Sequence, residues 1–356
     1  MNNSGYDNHA FDKLVDEFLL ERWRFKPTEA TFEGIHDYDC ELDQVDQRSL
    51  LQFIQREEKY LARLEGFKNS GTLTQDKMLD LKILEGQLKK DIISERLFSR
   101  YRRDPSIYVN LAVFSCMALL LREFAPEEIR YKALISRLKQ VPRLLQQGME
   151  NLGDADSIPA VWNKIGQASA QSAQSFFSNI ILNIAVQADG LKNDMLAAAT
   201  LASKAFKHYS EFLTNELSQK PEGDFAAGRE YFEFLLREFH LLPYNPEDIE
   251  KIGLKFIETT IGEIKNLAGR ISPEADWTEV IEIIKNDTPS KEALLDYYRA
   301  EIIKSRKFVL ENDLVSIPDG ESLKVIETPA SHRNTYPYAA YLSPPLSKRP
   351  MREYSG

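Results

Sequence analysis

The chain is poor in the residues that most often bind transition metals, with two cysteines and five histidines. Cys40 and Cys116 are too few and too far apart in sequence to predict a disulfide framework or a zinc ribbon. Cys116 lies inside the apolar run LAVFSCMALLL, where a thiol packs as a small hydrophobe. A helical zinc hydrolase needs two histidines one turn apart, and no two of positions 9, 36, 208, 240 and 332 have that spacing. A complete enzyme would need a site assembled from distant residues such as His36 and His332.

Positive charge is also scarce, because 45 lysines and arginines face 55 aspartates and glutamates and leave a net charge of -10. This balance argues against a nucleic-acid partner, which requires clustered basic residues. The longest apolar run has about half of the roughly 20 residues that a membrane-spanning helix needs. The N-terminus lacks the basic start, compact apolar stretch and cleavage site of a signal peptide. We therefore expect no membrane association and a cytoplasmic location.

Several motifs of common enzyme classes are missing, namely GxSxG, the Walker loop and GxGxxG. Nucleophile-elbow hydrolases, P-loop nucleotidases and dinucleotide enzymes therefore lose their main sequence support. The acidic loop at His36, Asp37, Tyr38 and Asp39 could hold a cation, although a loop with solvated acids is the favoured interpretation. No catalytic residue, metal ligand or cofactor-binding residue is predicted in the chain.

The apolar pattern predicts a mainly α protein, with a body of antiparallel helices over residues 1–311. Pro27 should end the first helix, and Thr72 with Gln75 has the spacing of a capping box between two paired helices. Pro142 should break or kink a later helix. Asn245 followed by Pro246 predicts a helix start, and Thr288 followed by Pro289 predicts another.

The pattern changes from helical to extended near Asp313. Residues 312–345 are predicted to form a small β-hairpin around Pro318, Asp319 and Gly320, continued by an extended segment. Residues 346–356 are expected to form a flexible tail.

Three blocks, taken in order, carry a resemblance to a known family: PTEATFEGIHDYDCELD, LPYNPEDIEKIG and FVLENDLVSIPDGESLKVIETPASHRNTYPYAAYLSPP. Together they resemble the bacterial family catalogued as domain of unknown function 885, which is related to helical zinc peptidases. The resemblance implies part of a zincin-like fold, in which a long channel leads to a metal site. The metal motif of the family, His-Glu-x-x-Pro-Gly-His, follows the tyrosine- and proline-rich passage in full-length members and is absent from this chain.

The resemblance implies zinc and a peptide or small amide-type substrate for full-length members, with metal-activated water attacking the carbonyl. No metal ligand or catalytic glutamate carries over to this sequence. Tyr336, Tyr338 and Tyr341 become candidate substrate-groove contacts, with packing of the hairpin against the helices as the alternative role. The end at Gly356 could be natural, a chosen boundary, a premature stop or a frameshift.

The leading hypothesis is therefore the N-terminal substrate-channel portion of a zinc-peptidase-like hydrolase, inactive as an isolated chain. Such a chain should expose apolar surface where the catalytic part would dock, and could self-associate through that surface. The alternative is a stand-alone helical binding or scaffold protein derived from a peptidase-like fold, with the corresponding face filled. Substrate, physiological role and oligomeric state do not follow from the sequence.

Overall fold

The computed structural model describes residues 3–187, 190–318, 320, 322–328, 339 and 341. The chain divides into two compact units, the first running to Pro243 and the second from Tyr244 to Ala340. The predicted domain boundaries after residues 311 and 345 were drawn from pattern changes and stay predictions. The mainly helical fold class is confirmed.

Ten helices are described in the first unit. They are α1 (Asn3–Phe25), α2 (Pro27–Glu33), α3 (Gln47–Ser70), α4 (Gln75–Ile93), α5 (Arg100–Arg103), α6 (Ser106–Leu121), α7 (Glu127–Gly153), α8 (Ala160–Gln187), α9 (Lys192–Asn215) and α10 (Arg229–Phe234). Short π-helical segments follow α4 at Ser94–Phe98 and α10 at Leu235–Phe239, and a 3₁₀ turn lies at Leu217–Gln219.

The main core is built around α6, which carries LAVFSCMALLL and packs against α7 and α8. Its polar atoms are paired: the Tyr108 hydroxyl donates to the carbonyl of Tyr101 and accepts from Asn151 Nδ2 at 3.0 Å. Small residues allow the helices to approach closely, as in the Ala/Ser/Gln stretch of α8, where Ala170 and Ala173 are fully buried. Cys116 is likewise buried, as expected for a thiol that packs as a hydrophobe.

A second core forms where α1 packs on the α3–α4 pair. The antiparallel pairing of α3 and α4 agrees with the sequence-based prediction, and Gly71 connects them in a left-handed conformation at φ 64°. The buried apolar side chains of this core are Phe11, Leu14, Phe18, Tyr60, Leu64, Leu81, Leu84 and Leu88.

The capping box predicted at Thr72 and Gln75 is wrong, and the break considered at Pro142 is not present. The residue before α4 is Thr74, whereas the Thr72 hydroxyl donates to Asp7, 65 positions earlier. A long-range bond has thus replaced the local cap. Pro142 lies inside α7 without ending it, and that helix runs unbroken from Glu127 to Gly153. Pro27, by contrast, separates α1 from α2 as predicted.

The second unit contains α11 (Pro246–Ile271), α12 (Trp277–Lys285) and α13 (Leu294–Glu311). The predicted start of α11 is confirmed by two hydrogen bonds. Asn245 Oδ1 accepts from the amide of Asp248 at 2.8 Å, and Asp248 Oδ2 accepts from the amide of Asn245 at 3.1 Å. The predicted start at Thr288 is wrong, since α13 begins six residues later at Leu294.

No β-strand is present in the parts of 312–345 that the structure describes, so the predicted hairpin is not confirmed. Gly320 has φ 75°, the left-handed conformation that a turn glycine adopts readily. Arg299 Nη2 donates to the carbonyl of Val325 at 3.2 Å, which joins α13 to residues 322–328.

No single helix among the described residues is long and apolar enough to cross a membrane. One bent pair, Gln75–Arg103 with Ser106–Leu121 at 89°, satisfies the length and composition test when its two parts are taken together.

The packing of α7 on α6 predicts that Gly148→Ala destabilises the protein. A Cβ at this position would lie 2.7 Å from Cγ of the buried Tyr108 ring, so the ring or the helix would have to move. We expect a loss of about 1–3 kcal/mol in the free energy of unfolding, measured with urea. Gly66→Ala on α3 is the matched control, since its Cβ would meet no atom within 4 Å and should stabilise by about 0.5–1 kcal/mol. Equal effects at the two positions would contradict this packing.

Candidate functional site

The structure describes one of the three tyrosines that were predicted as substrate contacts. Tyr336 and Tyr338 lie outside the described residues. Tyr341 is described and is 67% exposed. Because two of the three lie outside the described residues, their role as substrate contacts stays a prediction.

The acidic loop between α2 and α3 is tied to the protein by its carboxylates. Asp39 Oδ1 accepts from the Thr31 hydroxyl at 2.7 Å, and its Oδ2 lies 3.0 Å from His36 Nδ1. Asp39 is buried and only Asp37 is exposed, so the interpretation of solvated acids holds for one of the two. Since both carboxylate oxygens of Asp39 contact protein groups, the loop is better explained as a structural element than as a cation site.

Arg137 of α7 lies beneath this loop with 0% of its surface exposed. Its guanidinium donates to the carbonyl of Ser115 at 2.7 Å, to the carbonyl of Glu41 at 2.9 Å and to the Thr31 hydroxyl at 2.6 Å. Burial lowers the pKa of Arg137. These bonds connect α7 to α6, α2 and the loop through one side chain, which the sequence pattern did not reveal.

Asp43 extends the same network. Its carboxylate accepts from the backbone amide of Thr28 at 3.2 Å and from the hydroxyl of Thr28. Burial raises the pKa of Asp43, whereas these hydrogen bonds and the charge of Arg137 oppose the rise. All of these groups support the loop from within the protein.

Among the described residues, no group of three or more histidine, cysteine, aspartate or glutamate side chains could hold a metal ion. His36 stacks on Phe124 with 3.6 Å between ring centroids, and His332, its hypothetical partner, lies outside the described residues. The described part of the chain therefore does not fit a zinc ion.

A second buried charge cluster lies where α1, α3 and α4 meet. Arg22 pairs with Glu29 and with Asp91, each at 2.7 Å. Glu57 lies beside them, is 1% exposed, and has its Oε2 atom buried without a hydrogen-bond partner. Burial, followed by repulsion from Asp91, raises the pKa of Glu57 to about 7, against the opposing charges of Arg22, Lys26 and Arg56.

The most unusual surface belongs to the second unit, where large apolar side chains are exposed on all three helices and on the segment after them. We call these residues the exposed apolar set. Its members are Ile252, Leu254, Phe256, Ile257, Ile261, Leu267, Ile271, Ile283, Ile284, Leu294, Tyr297, Tyr298, Ile303, Phe308, Leu310, Leu314, Val315, Leu323 and Ile326. Ala268 is the buried residue of α11 and Val280 that of α12. Soluble monomers rarely expose large apolar patches, so this many exposed large apolar side chains in one unit indicates an interaction site.

Comparisons with other proteins show the family of the chain and a similar fold. The family described as "Bacterial protein of unknown function (DUF885)" matches residues 27–355. The chain belongs to this family of bacterial proteins of unknown function. None of the curated proteins matches it.

A similar solved structure is that of a candidate lipoprotein of unknown function from Shewanella oneidensis. The two chains superpose with a TM-score of 0.68 at 20% sequence identity, which shows a shared fold. The match covers 90% of the present chain and 60% of the Shewanella chain. The present chain thus spans less than two thirds of that protein.

The buried guanidinium predicts a large cost for Arg137→Met. This change leaves the carbonyls of Ser115 and Glu41 and the Thr31 hydroxyl without their buried donor, so the free energy of unfolding should fall by about 3–5 kcal/mol. Lys132→Met on the same helix is the control, because Lys132 pairs with Glu128 at the surface and should change stability by less than about 0.5 kcal/mol. Similar losses for both variants in urea titrations would refute the role of Arg137.

The raised pKa of Glu57 predicts a pH-dependent stability difference from Glu57→Gln. Between pH 4.5 and about 7 the folded state binds more protons at this group than the unfolded state, so its stabilising contribution is full below pH 4.5 and lost as pH rises through about 7. The variant should therefore gain on the wild type by about 3 kcal/mol across this window. Paired urea titrations from pH 4 to 8 measure the difference. A difference that stays constant with pH would contradict the assignment.

Proposed function

We propose that this chain forms the helical, substrate-channel portion of a zinc-peptidase-like hydrolase, whose metal site is supplied by further polypeptide. The observation that carries the proposal is the exposed apolar set of the second unit, which suits a surface that another protein part covers. The match over 60% of the longer Shewanella chain supports the same view, because a related fold there includes additional polypeptide. A zincin-like architecture of the whole protein belongs to this proposal.

The described residues do not provide a zinc site, so we assign no hydrolytic step to them. The proposed contribution of this chain is to enclose a peptide or small amide-type substrate. Tyr336, Tyr338 and Tyr341 are the proposed contacts, since a phenol combines a flat apolar face with a hydrogen-bonding hydroxyl.

A stand-alone binding or scaffold protein is the alternative. That function would require the apolar side chains of the second unit to be buried by other residues of the same unit. The exposure of Phe256, Leu267 and Ile303 does not favour it.

The first test is to read the genomic DNA downstream of the codon for Gly356 in all three frames. The proposal expects His-Glu-x-x-Pro-Gly-His in frame with this sequence. Absence of the motif from all frames would overturn it and favour a binding role. The motif in a shifted frame only would contradict a functional hydrolase from this gene.

The second test uses the protein extended through that motif. Tyr338→Phe should lower kcat/KM for a peptide substrate by about tenfold or more, because a hydroxyl that contacts the reacting group is lost. Tyr297→Phe on α13 is the control, since this exposed tyrosine is not a proposed contact and its loss should leave kcat/KM unchanged. Equal activities of the two variants would remove Tyr338 from the groove.

A further inference from the structure

Helix α11 carries a seam of residues whose spacing is the same when read in either direction. Starting at Ile249, the steps along the seam are four, three, four, four, three and four residues. The seam consists of Ile249, Gly253, Phe256, Thr260, Ile264, Leu267 and Ile271. With 3.6 residues per turn these positions follow one side of the helix. Phe256 is 72% exposed, Ile271 60% and Leu267 53%, so much of the seam lacks cover.

This symmetry suits an antiparallel pair of identical helices. A two-fold axis beside Thr260 would set Ile249 against the second copy's Ile271 and Phe256 against its Ile264. Gly253 would then face the large Leu267 of the second copy. A Cβ at Gly253 would meet no atom within 4 Å, so this position offers open space to that leucine.

The charges beside the seam have the same symmetry. Asp248, Lys255, Glu263 and Arg270 lie along one flank, at steps of seven, eight and seven residues. In antiparallel helices, residues of one flank face the same flank of the partner helix. Asp248 would therefore lie near the second copy's Arg270, and Lys255 near its Glu263. In a parallel pair this flank would face the opposite flank of the partner helix, and these four charges would not meet.

Three of the four flank charges can pair with a second copy. Lys255, Glu263 and Arg270 form no ion pair with any residue in the described part of the chain. Helix α12 contacts α11, and Ala268, the buried residue of α11, lies on the opposite flank of the seam. The helix has 26 residues, or about 39 Å of length, which permits an extended pairing.

We propose that the seam of α11 binds a second copy of this chain, forming an antiparallel helix pair about a two-fold axis near Thr260. Apolar burial along the seam drives the association, and the four flanking charges select the antiparallel register. This inference does not depend on the proposed hydrolase function. The seam uses Phe256, Leu267 and Ile271 of the exposed apolar set and leaves the members on α12 and α13 to further polypeptide.

The test is sedimentation equilibrium of the full chain and its charge variants. The wild type should show a monomer–dimer equilibrium. Glu263→Lys, which sets two lysines against each other at two symmetric places, should weaken the dimer by about tenfold or more. The double variant Lys255→Glu with Glu263→Lys should restore affinity to within about threefold. Glu258→Lys makes the same charge change on the opposite side of α11 and should leave the equilibrium unchanged.

Cysteine cross-linking tests the register independently. In a Cys40→Ser background, which removes the exposed native thiol, Thr260→Cys should form a disulfide-linked dimer on mild oxidation. Glu258→Cys should not, because its thiol would point away from the partner helix.

Three results would overturn the proposal. The first is a chain that stays monomeric at high micromolar concentration. The second is association that is indifferent to Glu263→Lys or is not rescued by the double variant, which would indicate non-specific apolar contact or a surface meant for another polypeptide. The third is equal cross-linking at positions 258 and 260. In each case the downstream DNA still decides the hydrolase proposal separately.

Discussion

Arg137 joins three parts of the first unit through a single buried guanidinium, and the loop between α2 and α3 depends on it. Its bonds to Thr31, Glu41 and Ser115 connect one side chain to a short helix, an irregular loop and the central helix α6. A buried charge is costly unless its donors are matched, so these acceptors have to hold their positions. That requirement explains why the acidic loop is ordered through Asp39 and Asp43 and does not present their oxygens to solvent.

The two units differ in how much of their apolar surface is buried by residues of the same unit. In the first unit α6 is enclosed by α7 and α8, and even the Tyr108 and Tyr209 hydroxyls find partners inside. In the second unit Ala268 and Val280 are the buried residues of α11 and α12, while Phe256 and Ile303 are largely exposed. Because burial of apolar area supplies most of the favourable free energy of folding, the second unit gains its full stability when something covers these helices. Further polypeptide or a second copy of the chain could each bury the exposed apolar side chains of these helices.

Most of the correct predictions concern features that depend on neighbours along the chain, although the local signal at Thr288 and Pro289 placed the start of α13 six residues too early. Pro27, Asn245 and Pro246 act through the backbone next to them, and the apolar period of α1, α3 and α4 marks the sides that become buried. Prediction failed where a distant residue competes: Thr72 binds Asp7 and therefore does not cap α4. Of the break or kink predicted at Pro142, the break is absent. The buried roles of Arg137 and Glu57 had no sequence signal, because their partners lie on other helices and in loops. Of the candidate contacts, Tyr341 is exposed, and Tyr336 and Tyr338 lie outside the described residues.

The central claim is that the first unit is complete in one chain whereas the second depends on a partner at α11. Hydrogen exchange measured by mass spectrometry, over a hundredfold range of protein concentration, tests it most directly. The account predicts that amides of α6 to α9 exchange slowly at every concentration, and that amides of α11 become more protected as concentration rises. Protection of α11 that equals that of α7 in the most dilute sample would contradict it, because the second unit would then be complete on its own.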